Sequence, residues 1–142
     1  MEKFLTRNKN LNRGFRNLNI WKDAIDFYKT VIAMLDKSLK VTYKVRSQIE
    51  DSALSVSSNI AEGYTRRTLK ENLRFYEISL SSLAENYSQM FALTAARQIS
   101  EFDFVIFDDK AYELENKLLK MIRSLISKMN SKSTWNEDYK SA

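Results

Sequence analysis

The chain contains no cysteine, no histidine and no proline, and only two glycines among its 142 residues. Without cysteine there is no thiol nucleophile, no disulfide and no thiolate zinc ligand. Without histidine there is no imidazole base, and neither a zinc HExxH motif nor the ExxH pairs of di-iron bundles can be written. A Gly-rich phosphate cradle and a paired-carboxylate motif are also missing. Carboxylate-only metal binding and lysine or tyrosine chemistry pass this filter, but nothing in the sequence points to them, so a non-enzymatic protein without metal or cofactor is expected. With no proline and only Gly14 and Gly63 as punctuation, long uninterrupted helices are favoured over short strands joined by tight turns. No stretch approaches the roughly eighteen consecutive apolar residues of a membrane span, and no secretory apolar core follows the start. A cytoplasmic protein with no membrane partner is expected.

What the sequence does contain is charge unevenly spread. Lys3, Arg7, Lys9, Arg13, Arg16 and Lys22 face Glu2 alone, so the whole net charge of +5 sits in residues 1–22 and the remainder is neutral in sum. Such an arm either attracts nucleic acid or an anionic surface through nonspecific electrostatics, or serves as a solubilising, partly flexible end. An Arg-rich, acid-poor start also mimics an organelle presequence, but Phe4, Leu5, Leu11 and Phe15 make no clean helical stripe.

Four amphipathic segments follow. The first is predicted over about 18–40, with Asn17 or Asn19 as cap and a seam of Leu18, Trp21, Ile25, Tyr28, Ile32, Leu35 and Leu39 at alternating three- and four-residue steps. Phe27, Val31 and Met34 form a second row beside it. The second helix, about 43–62, carries Val45, Ile49, Ala53, Val56 and Ile60 among many small residues, and Gly63 stands where a left-handed C-terminal cap is expected. Thr68 and Glu71 have capping-box spacing and open a third helix, about 68–98. Phe102 to Phe107 reads as a short turn over the bundle end, before a last helix at about 108–129 in which Leu114, Leu118, Met121 and Leu125 lie beside Leu119, Ile122, Ile126 and Met129.

The resulting expectation is an all-α chain: a basic arm over 1–16, one antiparallel up-down-up-down four-helix bundle over 17–129, and a polar tail over 130–142 whose Trp135 and Tyr139 either fray or fold back. No internal repeat suggests a solenoid. The double-width apolar faces exceed what a four-helix monomer need bury. A homo-oligomer is therefore expected, with Phe27, Val31, Met34, Leu119, Ile122 and Ile126 as its interface.

Several stretches carry a family likeness. Phe15-Arg-Asn-Leu-Asn-Ile-Trp21-Lys-Asp-Ala24, SVSSNIAEG from Ser55 to Gly63, then Arg66, Arg67, Glu71 and SSLAE from Ser81 to Glu85, resemble the four-helix-bundle proteins encoded in ribosomal RNA intervening sequences, also called S23-like. The likeness spans about 15–126, and its SxxSNIAEG core is the distinctive part. It implies a bacterial cytoplasmic bundle that assembles as a pentameric ring and has no assigned enzymatic activity. The family is similar in turn to accessory proteins of diversity-generating retroelements, rings with a basic surface that bind reverse transcriptase and nucleic acid. The chain departs from the pattern at Glu50 and Asp51, where relatives often carry two arginines, at Ser57 in place of a proline, and at Ser81 in place of a glycine.

Two sets of residues stand out as candidate sites. Asn59 and Glu62 on the second helix and Ser82 and Glu85 on the third share a spacing of three. They suit either an interhelical hydrogen-bond network that fixes register or a polar, carboxylate-lined pocket. Arg66, Arg67, Lys70 and Arg74 cluster around the start of the third helix, with Tyr64 and Tyr76 as stacking groups. They form either a phosphate-binding patch for RNA or DNA, aided by free amides at the helix start, or a solvated charged helix entrance. The leading reading is an RNA-binding or accessory scaffold; the alternative is an interaction oligomer serving a protein partner such as a reverse transcriptase.

Overall fold

A computed structural model describes the backbone of residues 1–141 and the side chains of residues 1–131. Trp135 and Tyr139 therefore lie outside the described side chains, as does most of the segment set apart as a tail. Two short 3-10 helices, Glu2–Leu5 and Leu11–Asn17, precede four α-helices: α1 (Asn19–Lys37), α2 (Tyr43–Thr65), α3 (Leu69–Ala95) and α4 (Glu101–Ser141). The described residues contain no strand, and no helix among them is long and apolar enough to cross a membrane.

The four helices enclose one core. In α1 the buried residues are Ile20, Ala24, Phe27, Val31, Met34 and Leu35, while Trp21 and Tyr28 only pack against them and Leu39 lies exposed beyond the helix end. The row that the sequence set beside the seam is thus the row that faces inwards. Ala24, a small residue, sits at the middle of the buried stripe, so the spacing of the large side chains points one row aside of it. Phe27, Val31 and Met34 are consequently spent within one chain, as is Ile122, and Leu119 is half-buried; of the six residues expected at an oligomer interface only Ile126 is exposed. Burying a side chain such as Phe27 or Leu35 stabilises the fold by about 1.5–3 kcal/mol.

Helix ends follow local chemistry. Thr42 Oγ1 accepts from the Val45 amide at 3.4 Å to open α2, and Thr68 Oγ1 accepts from the Glu71 amide at 3.2 Å to open α3, where Thr68 also donates to the Glu71 carboxylate. Neither Asn17 nor Asn19 caps α1: Asn17 closes the second 3-10 helix, Asn19 is already helical, and Leu18 between them is extended. Phe102–Phe107 is not a turn but the start of α4. Ser100 Oγ accepts from the Asp103 amide at 3.1 Å, and Glu101 and Asp103 favour a helix N-terminus by charge.

Gly63 does not terminate α2. It is buried inside the helix with an ordinary negative φ, and a Cβ there would lie 2.8 Å from Tyr76 Cε1 and 3.0 Å from Phe75 Cβ. Its role is close approach to α3. Among the described residues the α2–α3 interface is the most extensive, and it pairs Ile49 with Asn86, Val56 with Ser79, and Gly63 with Tyr76. α1 and α4 are joined at their margins by Asp23–Lys117, Asp26–Lys110 and Lys37–Asp103 ion pairs. At the far end Ser38 Oγ donates to the Gln98 carbonyl at 2.6 Å, tying the α1–α2 connection to the α3–α4 connection.

Candidate nucleic-acid interface

Folding brings the two basic segments of the sequence to one pole. The second 3-10 helix of the arm packs against the C-terminal end of α2 and the start of α1: Phe15 meets Trp21 at 5.3 Å and Tyr64 at 6.5 Å between ring centroids, and a Cβ at Gly14 would run into the Tyr64 ring. Tyr64 is two residues before Arg66, so the arm lies alongside the α2–α3 connection. The arm is held in shape by Arg16, whose guanidinium donates to the carbonyls of Phe4 at 2.6 Å, Arg13 at 3.4 Å and Asn8 at 3.5 Å. Arg13 reaches the same Asn8 carbonyl at 3.4 Å, and Asn8 takes a left-handed φ of 48° that turns this carbonyl towards both. A groove of about 460 Å³ results, with Lys9, Asn10, Arg13, Asn17 and Tyr64 in its lining.

Arg66 follows α2 in extended conformation. Its carbonyl accepts from Asn72 Nδ2 at 3.1 Å, a side chain that also donates to the Gly63 carbonyl, and its guanidinium lies 4.6 Å over the Phe75 ring. The connection is thereby fixed rather than loose. Arg67, Lys70 and Arg74 are exposed around it, the last two one turn apart on α3. The helix start itself offers little to phosphate, because Thr68 takes the Glu71 amide and the Glu71 carboxylate occupies the first turn. Side-chain cations, not backbone amides, are what this pole presents.

Of the two tyrosines expected to stack on bases, Tyr64 is half-buried against the arm. Tyr76 is 6% exposed, and its hydroxyl pKa is pushed up to about 12, chiefly by burial and then by the neighbouring Tyr64. Tyr76 is a packing residue and has no face to give a base.

Of the second candidate set, Ser82 and Glu85 line an open polar pocket of about 310 Å³ with Gln48, Asp51, Ser52 and Ser55, and Glu62 lies outside that lining. Asn59 Nδ2 donates to both the carbonyl and the hydroxyl of Ser55 at 2.8 Å, and Ser55 Oγ meets Ser82 Oγ across the helix gap at 2.8 Å. Asn59 and Ser82 therefore share one chain of bonds through Ser55, a residue the sequence reading did not single out. Glu62 is exposed, and Glu85 accepts from Gln89 Nε2 on its own helix at 3.5 Å. Further interhelical bonds, separate from this chain of bonds, involve residues that the sequence does not mark. Asn86, fully buried, donates to the Ile49 carbonyl at 3.1 Å and to Ser52 Oγ at 3.0 Å; Ser52 shares its proton between Gln89 Oε1 at 2.6 Å and Ile49 O at 3.0 Å; Ser79 donates to the Val56 carbonyl at 2.7 Å. Their signal was only collective, serines and an asparagine recurring on one side of α2 and α3. Among the described residues no three acidic side chains gather in a way that could hold a metal ion. Of the two departing acids, Glu50 is taken up by Arg46 at 2.6 Å, which also meets Asp36 at 2.6 Å; these bonds, the Glu50 one foremost, raise the Arg46 pKa.

A family model described as 23S rRNA-intervening sequence protein matches residues 16–120. Among solved structures, a protein of unknown function from the S23 ribosomal protein family of Bacteroides thetaiotaomicron is similar with a TM-score of 0.68 at 16% identity, covering 72% of this chain and 97% of that one. At this identity the likeness is one of fold. No curated protein matches the chain.

Proposed function

The chain belongs to the 23S rRNA-intervening sequence protein family, and from that premise we propose that it is a non-enzymatic, self-assembling helical bundle of the cytoplasm whose basic pole binds RNA. The observation that carries this reading is the convergence of Lys9 and Arg13 of the arm with Arg66, Arg67, Lys70 and Arg74 at one end of the molecule. A cluster of cations on a fixed framework neutralises phosphates without reading bases, which gives sequence-tolerant, salt-sensitive binding. Copies joined in a ring, as the family likeness implies, multiply that attraction.

An antiparallel up-down-up-down course is supported by the pairing of Ile49 with Asn86, Val56 with Ser79 and Gly63 with Tyr76, in which numbers rise on α2 as they fall on α3. The non-enzymatic reading is supported by the use to which buried polar groups are put: Ser52, Ser79, Ser82 and Asn86 each bond across the α2–α3 interface. The test is fluorescence anisotropy with labelled mixed-sequence RNA at low salt. Tight binding by the natural chain and its loss in the Arg66→Ala, Arg67→Ala, Lys70→Ala, Arg74→Ala variant are expected; no binding at low salt, or binding unchanged in that variant, removes the reading.

A further inference from the structure

The first half of α4 has two apolar sides, and only one is used within the chain. Phe104 and Phe107 turn inwards to an aromatic cluster, each within 5.7 Å of Tyr87 or Phe27 between centroids. On the other side Phe102 is 77% exposed, Val105 59% and Tyr112 65%, and Phe91 of α3 extends the patch from its contact with Phe104. Between Phe91, Ala95, Phe104 and Val105 lies an open apolar groove of about 310 Å³. The α4 stretch beside it is predominantly acidic. Residues 101–116 hold six acids against Lys110 alone; Lys110 is engaged by Asp26 and Asp103 by Lys37, while Glu101, Asp109 and Glu113 stay exposed beside the apolar groups.

The complement is on the same chain at the opposite end. The arm is basic, and it too shows apolar groups to solvent: Leu11 is 93% exposed, and Phe4 is exposed with Lys3 and Arg7 held over its ring at 5.2 and 5.8 Å. It is remote from Phe102 and Val105 of its own α4. The arm sits at the start of α1, whereas α4 begins beside Lys37 at the end of α1, and the 19 residues of that helix separate the two by about 28 Å.

We infer that the basic, apolar N-terminal arm of one copy docks on the acidic, apolar first half of α4 of a second copy. The inference rests on the self-assembly reading above and gives that assembly its contact. Two different surfaces meet, so the contact is head-to-tail and closes into a ring when the rotation between copies allows. Lys3, Arg7, Phe4 and Leu11 serve the neighbour, leaving Lys9, Arg13, Arg66, Arg67, Lys70 and Arg74 for phosphate.

Light scattering after size-exclusion chromatography, at tens of micromolar protein, tests it. The altered side chains are all exposed, and circular dichroism checks that helicity is kept. Phe102→Asp with Val105→Asp should reduce the particle to the 16.7 kDa monomer. So should Glu101→Lys with Asp109→Lys, and so should Lys3→Glu with Arg7→Glu. Combining the last two pairs in one chain should restore assembly, since both charges are then reversed. A natural chain that runs as a monomer would remove self-assembly itself and this contact with it. A natural oligomer whose mass survives the Phe102→Asp, Val105→Asp change and both charge reversals would leave self-assembly standing and overturn the contact proposed for it.

Discussion

Tyr76 of α3 lies edge-on to Gly63 of α2, with room between them for a hydrogen and not for a methyl group: an added Cβ would stand 2.8 Å from Tyr76 Cε1. Because Phe75 Cβ, anchored directly to the α3 backbone, is only 3.0 Å from the same point, rotation of one ring does not relieve the clash. Gly63→Ala is therefore expected to destabilise the protein by about 1–3 kcal/mol, despite the roughly 1 kcal/mol that alanine gains over glycine in a helix. Urea unfolding followed by circular dichroism measures it. Unchanged or increased stability would mean that α2 and α3 do not approach this closely.

The same tyrosine makes stability depend on alkaline pH. Its pKa rises from about 10 in the unfolded chain to about 12 in the fold, because burial disfavours the phenolate. Below pH 10 both states carry the proton and the stabilisation is fully present; between pH 10 and 12 the unfolded chain loses its proton first, so stability falls. A loss of about 1–3 kcal/mol across that window is expected. Tyr76→Phe should flatten this part of the profile, as read from thermal midpoints between pH 9 and 12.

At the end of α3 a left-handed position is filled by an arginine. Arg97 has φ 61°, its amide donates to the Thr94 carbonyl at 3.0 Å, and the Gln98 amide donates to the Leu93 carbonyl at 2.8 Å, the bond pattern of a glycine-terminated helix. A side chain there is strained against the backbone. Arg97→Gly should stabilise the protein by about 0.5–1 kcal/mol, raising the thermal midpoint by about 2 °C. A lower midpoint would show that the Arg97 side chain does more for the fold than its backbone costs.

If the basic pole neutralises phosphates, RNA affinity should fall linearly with the logarithm of salt concentration. Removing Arg66, Arg67, Lys70 and Arg74 together should make that slope shallower by about 3, at roughly 0.7 per phosphate contact on a single strand. Lys9→Ala with Arg13→Ala should weaken binding further and reduce the slope by about 1 more. Arm substitutions without effect on the slope would confine the interface to the α2–α3 connection.

Much of the architecture was legible as pattern. Helix number, the capping by Thr68 and the approximate spans of α1 to α3 follow from periodicity, hydroxyl spacing and the absence of proline, because each depends on neighbours within a few residues. The start of α4 was legible too, in the Ser100–Asp103 spacing, but the unbroken apolar run from Phe104 to Phe107 masked it: a helix buried on one side and apolar on the other shows no period.

What the sequence by itself determined, then, is the local part: four amphipathic helices, a basic first segment, and a chain lacking thiol and imidazole chemistry. Only the tertiary structure decided which apolar row of α1 is core, since a stripe with Ala24 at its centre differs from its neighbour by one residue of phase and packing alone selects between them. It also turned Gly63 from a terminator into a contact, joined Ser52 to Asn86 and Ser55 to Ser82 across the α2–α3 gap, and set residues 9–13 beside residues 66–74. Those relations join positions tens of residues apart, and no local propensity encodes which of them will meet.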